Sequence, residues 1–297
     1  MQRLETLEAT QAFVAANRTH TVALVPTMGA LHEGHRALIR HAKTLADIVV
    51  VSIYVNPLQF GPNEDLATYP RTLEDDAAAC QAEDADALFL PTDAMMYPNG
   101  QLEQTLVAPP ISLTNMACGA SRPGHFVGVC TVVLKLFNLI QPTIAVFGEK
   151  DAQQLTILKR MVADLNVPVQ LIGHPIVRED QGPLKGLALS SRNKHLVDTL
   201  DQQAALLLNE WLIAIETLVK QSGPISSYTS FGTARQQVFA NIDPTVAERF
   251  KLDYLLAVDD ATFQPVDTLK PGVRLLMAAH IGSSENTVRL IDNRLLS

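Results

Sequence analysis

Apolar, β-branched runs alternate with amphipathic stretches through the first half of the chain. Thr21–Val25 (TVALV) and Asp47–Val55 (DIVVVSIYV) are near-continuous hydrophobic runs, the pattern of strands buried on both faces. Ala87–Pro91, Thr143–Gly148 and Val167–Gly173 continue the series. Between them the helical period predicts helices over Glu5–Asn17, His35–Ala46, Leu73–Glu83, Phe126–Ile140 and Ala152–Leu165. This βαβα order implies an α/β fold, a Rossmann-like parallel sheet with helices on both faces. Ligands of such sheets bind beyond the C-terminal ends of the strands, so those ends are where chemistry is expected.

The pattern changes after about Gly186. Helical periods cover Asp198–Gln221 and Ala234–Ile242, separated by the loop-like QSGPISSYTSFG (Gln221–Gly232). LDYLLAVD, VRLLMAAHIG and TVRLID then read as strands of a small antiparallel sheet. Strands after helices indicate an α+β unit, so the expected division is residues 1–176 and a smaller C-terminal lid domain, 177–297.

Composition narrows the function classes. With 47% hydrophobic and 18% charged residues, the chain has ample material for a buried core. A net charge of -8 and the lack of a Lys/Arg run argue against a nucleic-acid partner. A local basic pocket for a small anion stays open. Cys80, Cys118 and Cys130 are odd in number and widely spaced, as in a reducing compartment. No signal-like N-terminus or membrane-length apolar run is visible, so the expectation is a cytoplasmic protein without a membrane partner.

The first strand runs into VPTMGALHEGH, which puts His32 and His35 at the start of a helix. They read as metal ligands, as packing residues, or as donors to a bound anion. Exposed N–H groups at a helix start attract anions, and Gly29 and Gly34 let the backbone approach closely. The metal reading lacks a further ligand at helical spacing, and HEGH lacks the two-residue spacer of the metalloprotease motif.

Three later segments carry similar chemistry. NPLQF places the amides of Asn56 and Gln59 after a strand, suited to a hydroxyl or carboxylate, or merely to a surface loop. FGEKDAQQL offers Lys150 to phosphate, Asp151 to ribose hydroxyls and Gln153 or Gln154 to a substrate; the plainer reading is a capped helix start. LSSRN joins two hydroxyls to an arginine, a phosphate clamp or a simple helix cap.

Taken in order, VPTMGALHEGH, SIYVNPLQF, YPRTLEDD, RPGHF, VFGEKDAQQL and LALSSRN closely resemble the pantoate–β-alanine ligase family. HEGH alone marks only the wider nucleotidylyltransferase superfamily; NPLQF with GEKDAQQL is far more specific. The resemblance implies an ATP-dependent ligase that condenses pantoate with β-alanine through a pantoyl adenylate, releasing AMP and pyrophosphate, with Mg²⁺. It implies that Met28, Gly29, Ala30, Leu31, His32, Glu33, Gly34 and His35 wrap ATP. Gly148, Glu149, Lys150 and Asp151, then Val177, Leu189, Ser190, Ser191 and Arg192, would complete the nucleotide contacts. His32, His35, Lys150, Ser191 and Arg192 are the implied catalytic residues. Gln59 and Gln154 match the pantoate-binding glutamines, Gln59 also serving β-alanine, and Asp75 and Asp76 match carboxylates assigned to Mg²⁺. A homodimer is likewise implied. Three features depart from the family: Ala152 stands where an aromatic residue is common, Gln181–Lys185 lengthens the approach to SSR, and GSSENTVRL looks expanded.

Overall fold

The structure, a computed structural model, describes residues 1–62, 64–101, 103–283 and 286–297. It divides into two compact units. The first comprises residues 1–114, 119–149 and 154–175; the second comprises 115–118, 150–153 and 176–297.

The first unit is a six-stranded parallel sheet, ordered β1-β4-β3-β2-β5-β6. Its strands are β1 (Gln2–Leu4), β2 (Val22–Thr27), β3 (Ile48–Ile53), β4 (Ala87–Phe89), β5 (Ile144–Gly148) and β6 (Gln170–His174). The central strands are buried on both faces, which explains their unbroken hydrophobic runs. Ala23, Val25, Val49, Val51, Leu88 and Val146 face α2 (Glu33–Leu45) and α3 (Leu73–Ala82), against Leu38, Ile39, Ala42, Ala77 and Cys80. α7 (His125–Ile140) packs against β2 and against α1 (Leu7–Ala16). Three one-turn helices, α4 (Asp93–Met96), α5 (Ile111–Thr114) and α6 (Ala117–Ser121), precede α7 in the chain, and α8 (Ala152–Asp164) follows β5. The sequence reading misses β1, whose three residues are too few to show a period. From β2 the chain passes to β3 on one side, while β5 lies on the other. The ends of β2 and β5 therefore flank the switch point where such sheets bind ligands.

The second unit holds a three-stranded antiparallel sheet, ordered β11-β10-β8, with β8 (Phe250–Asp259), β10 (Val273–Ser283) and β11 (Asn286–Leu295). α9 (Thr199–Ser222) lies against it, and Leu208, Trp211, Leu212 and Ile215 share one core with Leu275, Met277 and Ala279. The expected QSGPISSYTSFG loop instead contains a short strand β7 (Ile225–Ser226), paired with β9 (Thr268–Leu269), and the first turns of α10 (Ser227–Phe239). Tertiary anchors override the loop-like composition here. Ser230 Oγ donates to Ser226 O, Trp211 Nε1 donates to Phe231 O, and Ser227 N donates to Asp267 O. α11 (Pro244–Glu248) precedes β8. The apparent expansion in GSSENTVRL includes Ser284 and Glu285, which lie outside the described residues.

Candidate active site

In the first unit, β2 ends at Thr27 and the chain turns through Gly29 (φ +82°) and Ala30 (φ +50°) into α2. Thr27 Oγ1 donates to Ser52 O and accepts from Gly29 N, which ties the loop to the neighbouring strand. Glycine is required at 29 twice over. Its φ is left-handed, and a Cβ there would lie 3.0 Å from Asp76 Oδ2.

His32 is the N-cap of α2. Its Nδ1 accepts from Gly34 N at 3.1 Å, while His35 Nδ1 accepts from His32 N at 3.3 Å. The pair forms a capping box made of imidazoles, with ring centroids 4.1 Å apart. With both Nδ1 atoms accepting, the neutral rings carry their hydrogen on Nε2. The turn thus adds two ring N–H donors to the positive end of a helix. Glu33 is directed to Arg40, and Arg36 and Arg40 both bind Glu83. Burial pushes the Glu83 carboxyl up, but the two guanidinium groups outweigh it and hold Glu83 below the ordinary range.

Asp76 is buried, and its carboxylate accepts from Ala30 N (2.9 Å), Leu31 N (2.7 Å) and Thr72 Oγ1 (3.2 Å). Asp75, one residue earlier on α3, is exposed. The two carboxylates therefore offer no shared ligand set, and among the described residues no group of three or more His, Cys, Asp or Glu could hold a metal ion. Asp76 thus shapes the Met28–His35 loop through its bonds to Ala30 N and Leu31 N.

After β3 a 3₁₀ turn (Pro57–Gln59) carries Gln59. Asn56, 1% exposed, donates to Gln59 Oε1 (3.1 Å) and Gly128 O (3.2 Å), and accepts from Tyr97 OH (2.6 Å). Gln59 Nε2 points at Met28 Sδ, 3.1 Å away. Asn56 is thus a buried support that orients Gln59. Arg122 and His125 bond to Gln59 O, and Arg122 also pairs with Glu64. Gly128 allows this turn to lie on α7, since a Cβ there would meet Leu58 O at 2.4 Å. The contact of RPGHF with NPLQF is not visible in the sequence, where the Pro-Gly turn before an apolar helix is the one local signal. Gly148 ends β5 at the switch point, Glu149 opens the 3₁₀ turn that follows, and Gln154 lies half-buried on α8.

In the second unit, Lys150 Nζ stands 3.6 Å from Asp151 Oδ2, and Lys150 O accepts from Asn293 Nδ2 at 2.9 Å. Gln153 spends its side-chain NH₂ on Met116 O (2.9 Å), so of the adjacent glutamines it is the structural one. Val177 and Leu189 pair across a hairpin, Leu189 N donating to Val177 O, with Gln181–Lys185 at its tip. Ser190 then caps the turn Ser191–His195, its Oγ accepting from Arg192 N. Ser190, Ser191 and Arg192 are consecutive at the start of this turn.

The family model for pantoate-beta-alanine ligase matches residues 2–295. A pantothenate synthetase from Shewanella piezotolerans is 47% identical over 92% of this chain and 90% of its own length. A bifunctional pantoate ligase/cytidylate kinase from Thermosynechococcus vestitus is also 47% identical; the chain spans 51% of that longer protein. The crystal structure of pantothenate synthetase from Thermus thermophilus matches with a TM-score of 0.87 at 40% identity, covering 100% of this chain and 99% of that one. Pantoate-beta-alanine ligase from Francisella tularensis, solved with beta-gamma ATP and beta-alanine, matches with a TM-score of 0.77 at 33% identity over 99% and 97% of the two chains. On the site residues assembled above and on matches over nearly its full length, the chain belongs to the pantoate–β-alanine ligase family.

Proposed function

We propose that the loop from Met28 to His35 holds ATP by its phosphates, with the Nε2–H groups of His32 and His35 as donors. The enzyme joins pantoate to β-alanine at the expense of ATP, through pantoyl adenylate. In the first step the pantoate carboxylate attacks the α-phosphorus and pyrophosphate departs. That carboxylate is already ionised at neutral pH, so the step needs in-line positioning and charge relief rather than a base. Lys150, Ser190, Ser191 and Arg192 supply charge and hydrogen bonds to the phosphates, Gly148, Glu149 and Asp151 reach the ribose side, and Val177 and Leu189 border the adenine. Gln59 and Gln154 bind pantoate, and Gln59 receives β-alanine. In the second step the β-alanine amine attacks the acyl carbon, and AMP leaves.

The observation that carries this reading is the imidazole capping box of α2. It supports His35 as a neutral donor that stabilises phosphate charge, because a hydrogen on Nδ1 would displace the His32 N–H it accepts. Support for ATP and β-alanine as ligands comes from the Francisella complex. No step is assigned to Mg²⁺. A cytoplasmic homodimer follows from family likeness; among the described residues no helix is long and apolar enough to cross a membrane.

Product analysis tests the roles. AMP and pyrophosphate are expected in quantity only when pantoate and β-alanine are both supplied. Lys150→Ala is expected to lower turnover far more than pantoate affinity, whereas Gln59→Ala weakens pantoate saturation. Normal turnover in Lys150→Ala would remove that lysine from the mechanism.

A further inference from the structure

Two neighbouring residues of β11 reach two different segments of the second unit's nucleotide-binding residues. Asp292 and Asn293 are each 2% exposed. The Asp292 carboxylate takes both guanidinium arms of Arg178, at 2.6 and 2.8 Å, and also accepts from Asn293 N at 2.7 Å. Arg178 Nη1 donates in addition to Gly186 O at 3.1 Å, and so ties together the two arms of the Val177–Leu189 hairpin. Arg178 and Ala188 form a cross-strand bridge, and Asn193 Nδ2 donates back to Ala188 O at 3.1 Å. From Asp292, an unbroken series of bonds therefore runs through the hairpin to the turn that carries Ser191 and Arg192.

Asn293 makes the second connection. Its Oδ1 accepts from Arg274 Nη1 at 2.7 Å, and Arg274 Nε is held by Asp260 Oδ1 at 2.5 Å. That contact fixes which end of the amide is oxygen, so the NH₂ end is the one facing Lys150 O, 2.9 Å away. A planar bidentate pair and a directionally fixed amide both specify geometry more tightly than apolar packing does. Both act on backbone segments whose side chains serve ATP.

We propose that Asp292 and Asn293 are positioning residues for adenylate formation: together they set the register of Lys150 and of Ser190–Arg192 without touching substrate. This rests on the reading that those residues bind the ATP phosphates. Misplacing such groups by about an ångström costs on the order of 100-fold in rate.

The test uses the full chain and pantoate-dependent exchange of radiolabelled pyrophosphate into ATP. Asn293→Asp keeps the oxygen facing Arg274 but removes the donor to Lys150 O. Arg178→Lys keeps the charge but loses the bidentate pair. Each is expected to lower exchange kcat/KM for ATP by roughly 10- to 100-fold, while KM for pantoate stays within about twofold. A purely structural role would lower the Tm without separating the two substrates. Should Asn293→Asp fail to fold, as judged by circular dichroism, Arg178→Lys decides. A folded variant with wild-type ATP kinetics overturns the proposal. Lys150→Ala run alongside separates the two failures. If it too exchanges normally, the underlying phosphate reading fails; if it alone is lost, only the positioning role does.

Discussion

The imidazole rings of His32 and His35 stand 4.1 Å apart, and each gives its Nδ1 to a backbone N–H at the start of α2. The same two side chains thus cap the helix and fix where their remaining ring donors lie.

His32→Asn separates these roles. Asparagine is a good N-cap and its Oδ1 replaces Nδ1, but it has no counterpart of Nε2–H. The Tm is expected to stay close to wild type, while adenylate formation falls by about 10²-fold, as for loss of one charge-stabilising donor. Thermal unfolding and single-turnover rates measure both.

Asp76→Asn tests loop support against metal binding. Placing an NH₂ where Ala30 or Leu31 donates removes a charge-assisted bond, a loss of about 1.5–3 kcal/mol. ATP binding is expected to weaken, while the Mg²⁺ concentration giving half-maximal rate stays unchanged. A rise in that concentration would restore Asp76 as a metal ligand.

Much of this was legible in the sequence. The unbroken apolar runs of β2, β3 and β5 announce a doubly covered parallel sheet, and VPTMGALHEGH reads directly as strand, loop and helix start. What sequence does not display is who holds the site residues. Asp76 meets Ala30 across 46 positions, and Asn293 meets Lys150 across 143, so both pairings depend on tertiary register. Asp76 reads locally as an acidic residue in a helix's first turn, a placement that conceals its partner. α10 fails in the opposite direction: its Ser- and Gly-containing start resembles a loop, and hydrogen bonds to Trp211 and Asp267 anchor it as a helix.

Gly128→Ala probes the seat of Gln59. The added methyl would sit 2.4 Å from Leu58 O, so the turn must move off α7. A loss of about 1–3 kcal/mol in stability is expected, with a raised KM for pantoate and a smaller change for ATP. Denaturant unfolding and steady-state kinetics check the pair.

Glu83 gives a pH signature. Its folded carboxyl lies below the ordinary value because Arg36 and Arg40 outweigh burial. Its contribution to stability is therefore complete above the unfolded glutamate value, about 4.3, and is lost as pH falls through the folded one. The Tm gap between wild type and Glu83→Gln is expected to be flat above about pH 5 and to shrink below about pH 4. A gap independent of pH would remove the charge pairing as its cause.

The most direct measurement of the central claim is exchange of labelled pyrophosphate into ATP with pantoate present and β-alanine absent. Exchange that depends on pantoate, and that falls sharply in His32→Asn, is the expected result. Exchange that ignores pantoate, or none at saturating ATP and Mg²⁺, would contradict adenylate formation at the β2–α2 loop.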